Sequence, residues 1–206
     1  RGPILLAGHA GLFVRIFELT RDPVFINMAR AAAIGRDAFV DPATSVASYY
    51  WSFMNRGSGP FPHHAWWQIG WIMDYLLAEA HLRSGGAIEI PSGFVTPKVG
   101  PHKSYGFRPG KLYGQQVSLR LFPGFVQTGN VNVEYLTFTS GQKVYLVLMN
   151  DLSENTAINL VVDATKTGMN LKTIKALNDP NAASGQLNRP VPLSLSPYGL
   201  KVYVME

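Results

Sequence analysis

The chain has 206 residues, of which 47% are hydrophobic and 15% are charged. This composition supports a buried core and excludes an intrinsically disordered chain, which combines low hydrophobicity with high charge. Cysteine is absent, which excludes disulfides, thiolate metal sites and cysteine nucleophiles, and no apolar run approaches the ~20 residues of a membrane-spanning helix.

The net charge of +5 originates in one segment of the chain. No acidic residue lies between Glu89 and Glu134, whereas the cations of that segment are Lys98, Lys103, Arg108, Lys111 and Arg120. Such a concentration of cations indicates an anionic partner, or else a solvated loop that happens to lack acids. No helix-turn-helix, zinc-finger or RNP pattern accompanies the charge, so we do not expect nucleic acid to be that partner.

The first third of the chain is helical by its apolar periodicity. Residues 4–20 repeat apolar side chains at helical spacing, and an Asp-Pro pair then caps a second helix over 23–36. A third helix is predicted over 63–83 and ends at a Gly-Gly pair. Its first half is apolar nearly all round, so both of its sides have to be covered.

The first and third helices end in similar sequences, RIFELTRD and LAEAHLRSGG, about 63 residues apart. Helix hairpins that repeat in this way bury their faces only against neighbouring hairpins. We therefore expect a fragment: the C-terminal part of a longer helical array, whose missing N-terminal helices are its partner. The other possibility is that the helices pack on the following sheet and stand alone. The start at Arg1, without an initiator Met or a signal peptide, fits a mature fragment.

After Gly86 the helical period disappears and short strands follow. Strands are predicted at 87–90, 116–122, 131–139, 143–149, 156–162, 171–177, 191–195 and 200–205. Many short strands at this spacing indicate an antiparallel β-sandwich. A Pro- and Gly-rich stretch at 91–114 is predicted to be a long ordered loop. The predicted fold class is α+β, with a helical region over 1–86 and the sandwich over 87–206.

Two parts of the chain resemble known architectures. The runs YLVLMND, INLVVD and PLSLSPYGLKVYVM resemble the terminal β-sandwich of many glycoside hydrolases, in which a strand ending in Asn precedes a turn and the last strand begins after a Pro-Tyr-Gly corner, here at 197–199. GLFVRIFELTRDPVFINMARAAAIGRDAF resembles a hairpin of the six-hairpin (α/α) toroid, and PHHAWWQIGW resembles the start of the toroid's last inner helix. A complete toroid has more helices than are predicted here.

Toroid followed by sandwich is an order found in glycoside hydrolases and polysaccharide lyases. The resemblance implies a periplasmic or extracellular protein that hydrolyses glycosidic bonds in a poly- or oligosaccharide. The alternatives are a lyase acting on an anionic glycan, which the acid-free segment favours, and a non-catalytic module that binds glycan or supports its neighbour. We expect the parent protein to be an enzyme and this part alone to be inactive.

Glycoside hydrolysis needs two carboxyl groups that flank the scissile bond, one of them kept protonated by its surroundings. The candidate is Asp74, within the apolar run GWIMDYLL, with a hydrogen-bonded structural residue as the alternative. Asp22 and Asp41 are explained as caps beside prolines, and Glu18 and Glu79 are expected to be solvated near helix ends. No convincing second carboxylate is visible, so at least one catalytic acid is expected in the missing helices.

A cluster of histidines and aromatic residues precedes and opens the third helix. Aromatic faces pack against the C–H faces of sugars, while His and Gln bond hydroxyl groups. His64 is the second catalytic candidate, as a general base or a group that neutralises a uronate; the alternative for the tryptophans is core packing. The predicted substrate-binding residues are Tyr50, Trp51, His63, Trp66, Trp67, Gln68, Lys103 and Arg108. We expect no cofactor and no metal site, because His63-His64 lacks the i, i+4 spacing and a matching acid.

Overall fold

In a computed structural model of the chain, the described residues are 9–37, 65–90, 105–122, 124–177 and 184–206. They form two compact units, a helical unit made of 9–37 and 65–82 and a sandwich unit made of the described residues from 83 onward. The fold class is α+β, with N-terminal helices and a β-sandwich, as predicted. Across these residues, no helix combines the length and the apolar character needed to cross a membrane.

The described α-helices are α1 (Ala10–Thr20), α2 (Pro23–Asp37) and α3 (Ala65–Arg83). All three were predicted from periodicity; the first residues predicted for the first and third helices lie outside the described part of the chain. The last residue of α3 belongs to the sandwich unit. Side chains are described on α3 only from Asp74 onward.

The turn between α1 and α2 is made by Arg21 and Asp22. Arg21 adopts a left-handed conformation with φ of 59°, and its N–H donates to the carbonyl of Phe17 at 2.8 Å, which closes the last turn of α1. The Asp22 carboxylate accepts the N–H of Val24 at 2.9 Å. This is the N-cap that the Asp-Pro pair predicted, and it satisfies one of the unpaired donors at the start of α2.

Small side chains bring the helices of this unit close together. The buried residues of α1 and α2 include Ala10, Gly11, Val14, Ala29, Ala32 and Ala33. At Gly11 an added Cβ would overlap the side chain of Asp74 and lie 3.0 Å from its carbonyl carbon. A larger residue at this point of contact between α1 and α3 would therefore require Asp74 to shift.

The sandwich unit contains eleven described strands in two antiparallel sheets. The larger has the order β1-β2-β3-β5-β6-β11-β8-β9 and the smaller the order β10-β7-β4. The strands are β1 (Ile88–Glu89), β2 (Tyr105–Leu112), β3 (Gln115–Leu121), β4 (Val126–Gln127), β5 (Val133–Ser140), β6 (Lys143–Asn150), β7 (Thr156–Val162), β8 (Thr173–Ala176), β9 (Gly185–Gln186), β10 (Val191–Leu195) and β11 (Leu200–Met205). β4 and β9, each of two residues, lie where the sequence predicts no strand.

The prediction of a loop over 91–114 is wrong for residues 105–112, which form β2. This strand pairs with β3 from Tyr105 opposite Leu121 to Leu112 opposite Gln115. Pro109 and Gly110 are residues typical of a turn, so the sequence predicts no strand here. Gly110 has a packing role in β2, because a Cβ there would lie 2.6 Å from the carbonyl oxygen of Glu89. Pairing with β3 on one side and β1 on the other has overridden the local turn preference.

The centre of the larger sheet is apolar on both faces. Every residue of β6 after Lys143 is buried, as an uninterrupted apolar run indicates for a central strand. One face, which we call the core face, contributes to a buried cluster that it shares with the smaller sheet. This cluster includes Val144, Leu146, Leu148, Phe125, Ile158, Leu160 and Leu195. Tyr145, Val147 and Met149 are buried on the opposite face.

Towards β2 and β3 the core face becomes polar. Residues directly opposite one another on antiparallel strands share a face, and the pairing places Pro109, Ser118, Thr139 and Val144 in one row. Alternate residues of β2 and β3 continue this face, and they are exposed or half-buried: Pro109, Lys111, Gln116, Ser118 and Arg120. We call these five residues the open hairpin face.

Candidate functional site

Asp74 on α3 is bound by Arg15 on α1. The guanidinium donates from Nη1 to Oδ2 at 3.1 Å and from Nη2 to Oδ1. The hydrogen bond from Asp74 raises the pKa of Arg15 above its ordinary value, and burial partly opposes that rise. Because both carboxylate oxygens already accept from Arg15, the contact is the one expected of a structural residue; catalysis by Asp74 stays a prediction.

Glu79 is fully buried, so the expectation that it is solvated is wrong. Its Oε1 accepts from Nε of Arg30 on α2 at 3.4 Å. The residue lies near the end of α3, but the neighbouring helix covers that end, and a buried carboxylate requires a cation or other donors. Glu18 is half-buried, with its Oε1 at 3.9 Å from Nε2 of His81.

Asp74 and Glu79 therefore link helices through guanidinium groups on a neighbouring helix, and Glu18 on α1 lies near the imidazole of His81 on α3. A hydrolase requires a different arrangement, two carboxyl groups facing one open site. Within the described helical residues, these three carboxylates are used for packing.

The predicted sugar-binding cluster lies largely beyond the described residues. Tyr50, Trp51, His63, His64 and Lys103 fall outside them altogether. The described part includes the backbone, but not the side chains, of Trp66, Trp67 and Gln68 in α3 and of Arg108 in β2. Their binding roles stay predictions. Among the described His, Asp and Glu residues, no group of three could hold a metal ion.

Asn150, at the end of β6, organises a buried corner of the sandwich unit. Its Nδ2 donates to the carbonyls of Glu154 at 2.8 Å and Ser196 at 3.0 Å. Its Oδ1 accepts the N–H of Leu152 at 3.1 Å and the hydroxyl of Thr156 at 3.2 Å. The amide thus uses both of its donors and both of its acceptor positions, as a fully buried amide should.

The Pro-Tyr-Gly corner closes onto the same loop. The N–H of Asn150 donates to the carbonyl of Gly199 at 2.9 Å, and the N–H of Tyr198 donates to the carbonyl of Leu152 at 3.0 Å. Tyr198 has a φ of 49°, a left-handed conformation rare for an aromatic residue. The two runs that resemble a glycoside hydrolase sandwich are therefore parts of one hydrogen-bonded structure, the Asn150 corner.

A buried ion pair adjoins the Asn150 corner, at a polar run, residues 150–155, that by its composition indicates only a turn. Arg83 donates from Nη1 to the carbonyl of Asn150 at 2.9 Å and from Nη2 to Oδ1 of Asp151 at 2.5 Å. The side chains of Arg83 and Asp151 are 4% and 1% exposed. The one signal of this ion pair in the sequence was the position of Asp151, an acid that directly follows the apolar strand β6.

The open hairpin face presents cations without carboxylate partners. Val117 and Leu119 are buried, whereas Arg120 lies on the other side of β3 and is half-buried. The Arg120 guanidinium lies 4.9 Å from the centre of the Phe122 ring. Across the described residues, neither Lys111 nor Arg120 forms an ion pair, although Glu89 lies opposite Lys111 in the pairing of β1 with β2.

No protein-family model matches the chain, and no curated protein sequence matches it. Similar solved structures include a GH27 β-L-arabinopyranosidase from Geobacillus stearothermophilus, at 10% identity over 51% of this chain and 20% of that one, with a TM-score of 0.27. A β-galactosidase from Bacillus circulans sp. alkalophilus and a GH42 β-galactosidase from G. stearothermophilus each match at 12% identity over 58% of this chain and 18% of theirs, with a TM-score of 0.29. The chain thus spans about a fifth of the length of these enzymes. All three are glycoside hydrolases, and TM-scores below 0.3 do not establish a shared fold.

Proposed function

We propose that this chain is part of an enzyme that hydrolyses glycosidic bonds in a poly- or oligosaccharide. The observation that supports the proposal most is the Asn150 corner. The residues that resemble the terminal sandwich of glycoside hydrolases hold one another in place: Asn150 ends its strand, and Gly199 and Leu152 bond the two sides of the corner. A resemblance carried by residues that contact one another is more specific than one carried by separate strands.

In this proposal the sandwich unit supports the enzyme and does not perform the chemistry. Its buried polar side chains Asn150, Asp151 and Thr156 are engaged in its own loops. The helices form the end of an (α/α) toroid in a periplasmic or extracellular protein, and upstream helices supply at least one catalytic carboxyl group. His64 and the aromatic residues around it bind the sugar next to that group.

The reaction is tested by its products. Hydrolysis adds water across the glycosidic bond and creates a new reducing end, whereas a lyase eliminates across the sugar ring and creates an unsaturated uronate that absorbs ultraviolet light. We would assay this chain, and the same chain extended by its upstream reading frame, on neutral and uronate-containing polysaccharides. The extended protein should release reducing ends at ordinary enzyme rates, about 1 to 10³ per second, and this chain far more slowly.

Either of two results would contradict the proposal. Ultraviolet absorbance appearing with the reducing ends would identify a lyase, the second candidate, which the acid-free segment between Glu89 and Glu134 favours. Binding of polysaccharide by the extended protein with no new reducing ends would identify a non-catalytic module.

The sugar-binding role of the cluster is tested by a matched pair of tryptophans on α3. Trp66→Ala and His64→Ala should weaken polysaccharide binding with little change in the free energy of unfolding. Trp71→Ala is the control: its position predicts core packing, so it should lose about 3 to 5 kcal/mol of stability. If Trp66→Ala destabilises the protein as strongly as Trp71→Ala, Trp66 belongs to the core and not to a binding site.

A further inference from the structure

The hairpin between β2 and β3 has an unusual residue at its turn. Tyr113 and Gly114 are the two central residues, with φ of 49° and 79°. Two positive φ values define a type I′ turn, for which Asn-Gly and Asp-Gly are the preferred pairs. A tyrosine in the left-handed region is a genuine outlier, since its Cβ and ring crowd the backbone.

The hydrogen bond that Tyr113 makes at this position comes from its backbone. Its N–H donates to the carbonyl of Ala87 at 2.8 Å, a bond that any residue other than proline can make. The side chain is 37% exposed, and its hydroxyl bonds no described residue. An aromatic ring is therefore kept at a strained, exposed position where asparagine would suit the turn better, and such strain is characteristic of functional positions.

The strands that lead into this turn carry the open hairpin face. Lys111 lies two residues before Tyr113 and pairs with Gln116 on β3. Arg120 lies on the same strand as Gln116, four residues further along the chain. Four residues of a strand span about 13 Å. The two cations are thus spread along one face, with the uncharged side chains of Gln116 and Ser118 between them.

We propose that this hairpin is a surface site for an acidic polysaccharide, in which Tyr113 stacks against a sugar ring and Lys111 and Arg120 bind its carboxylates. The proposal rests on the proposed function, which makes a glycan the expected partner, and adds its charge and its place of binding. Tyrosine offers a flat apolar surface with a polar hydroxyl at its edge, a combination suited to sugar rings. Lysine and arginine supply charge-assisted hydrogen bonds to carboxylates.

The experiment compares polygalacturonate with the same polymer after methyl esterification, which removes its charge and keeps its backbone. The unmodified chain should bind polygalacturonate more tightly, and that affinity should fall as salt rises, since exposed charges act over about 8 to 10 Å at physiological ionic strength. Short duplex DNA is the third probe, because it is a polyanion without the sugar surface. It should bind more weakly than polygalacturonate.

Variants distinguish the contribution of the Tyr113 ring to binding from the contributions of Lys111 and Arg120. Tyr113→Asn should weaken binding of both polymer forms by about threefold to tenfold, and Tyr113→Phe should retain it. Lys111→Gln and Arg120→Gln should weaken only the acidic form, each by up to about fivefold, and flatten its salt dependence. Lys172→Gln and Arg189→Gln, exposed cations elsewhere in the sandwich unit, are the matched controls and should change neither.

Thermal unfolding gives an independent readout. Tyr113→Asn should raise the melting temperature by about 1 to 4 °C, because asparagine accepts a positive φ more readily than tyrosine. A lower melting temperature with unchanged binding would assign Tyr113 a packing role and overturn the proposal. Equal or tighter binding of DNA would also overturn it, in favour of a nucleic-acid surface, and so would equal affinity for both polymer forms at every salt concentration.

Failure of this site is distinguishable from failure of the proposed function. Cleavage of a small aryl glycoside by the extended protein does not require the hairpin. If that cleavage persists while no variant alters polysaccharide binding, only the surface site is wrong. If polysaccharide binds as expected but no bond is hydrolysed, only the proposed activity is wrong.

Discussion

Both units of this protein pair carboxylates with guanidinium groups, as Arg83 does with Asp151 in the sandwich unit, and the sandwich unit also uses a neutral amide. In the helical unit, carboxylates on α3 face guanidinium groups on neighbouring helices, Asp74 with Arg15 and Glu79 with Arg30. In the sandwich unit, the neutral amide of Asn150 bonds two backbone carbonyls and one backbone N–H. The difference follows from the backbone, because a helix bonds its own interior peptide groups, whereas the loops at the end of a sandwich leave theirs to side chains.

This comparison has a consequence for stability. Ion pairs between half-exposed side chains contribute little and are screened by salt. A buried amide whose partners lie in separate loops contributes more, because removing it leaves several backbone groups without partners. Changes around the Asn150 corner should therefore affect stability more than changes to the Arg15–Asp74 pair, whose side chains are both partly exposed.

The largest loss of stability is expected from Asp151→Ala. It leaves the guanidinium of Arg83 buried opposite an alanine, and breaking such a pair typically removes about 3 to 5 kcal/mol of stability. The measurement is urea unfolding, with amide exchange in β6 as a local probe of the sandwich. Glu154→Gln, at an exposed acid of the same loop, should have an effect near zero. A loss below about 1 kcal/mol for Asp151→Ala would show that the pair does not hold the corner.

Asn150→Ala should follow, with a loss of about 2 to 4 kcal/mol, because it removes four hydrogen bonds from a buried site. Asn150→Asp distinguishes hydrogen bonding from shape. An aspartate has the same size but cannot donate to the carbonyls of Glu154 and Ser196, so it should be at least as destabilising as alanine. Asn159→Ala, at an exposed amide on β7, is the control. A stable Asn150→Asp protein would contradict the donor role of the amide.

Asp74→Asn should lose only about 0.5 to 1 kcal/mol, because the side chains of Arg15 and Asp74 are 40% and 29% exposed. Arg15→Gln should lose a similar amount, and the double variant little more, in a double-mutant cycle measured at low salt. Adding salt should reduce the coupling. The same variants test the predicted catalytic role in the extended protein. A large loss of activity in Asp74→Asn with full activity in Arg15→Gln would make Asp74 catalytic.

The smallest expected effect is a change in stability at alkaline pH, which arises from two tyrosines of the sandwich unit. Burial raises the pKa of Tyr135 and of Tyr203 above the ordinary value of a phenol, near 10. Their contribution to stability is therefore complete below about pH 10 and is lost as the pH rises through the raised values. Tyr135→Phe and Tyr203→Phe should each flatten the alkaline limb of a stability-against-pH curve relative to the unmodified chain. Parallel curves for all variants would contradict this explanation.

Much of the local structure was predictable, because it depends on neighbouring residues. The Asp-Pro cap of α2 acts over two residues, and the alternation around Val117 and Leu119 is a property of one strand. Strand β2 was missed for the opposite reason. Pro109 and Gly110 indicate a turn locally, and only pairing with β3 and the close approach of Glu89 make this stretch a strand.

The sequence by itself determined the α+β class and the helix boundaries at Thr20 and Pro23, since periodicity and capping are local. Tertiary structure alone decided the partners of the charged groups. Neither the burial of Glu79 nor the pairing of Arg83 with Asp151 can be derived from sequence spacing, because each depends on which distant segment removes water from the site. The same holds for Asn150 and the Pro-Tyr-Gly corner, which are 46 residues apart at the Asn150–Ser196 hydrogen bond and become one structure only when β6 and β11 pair.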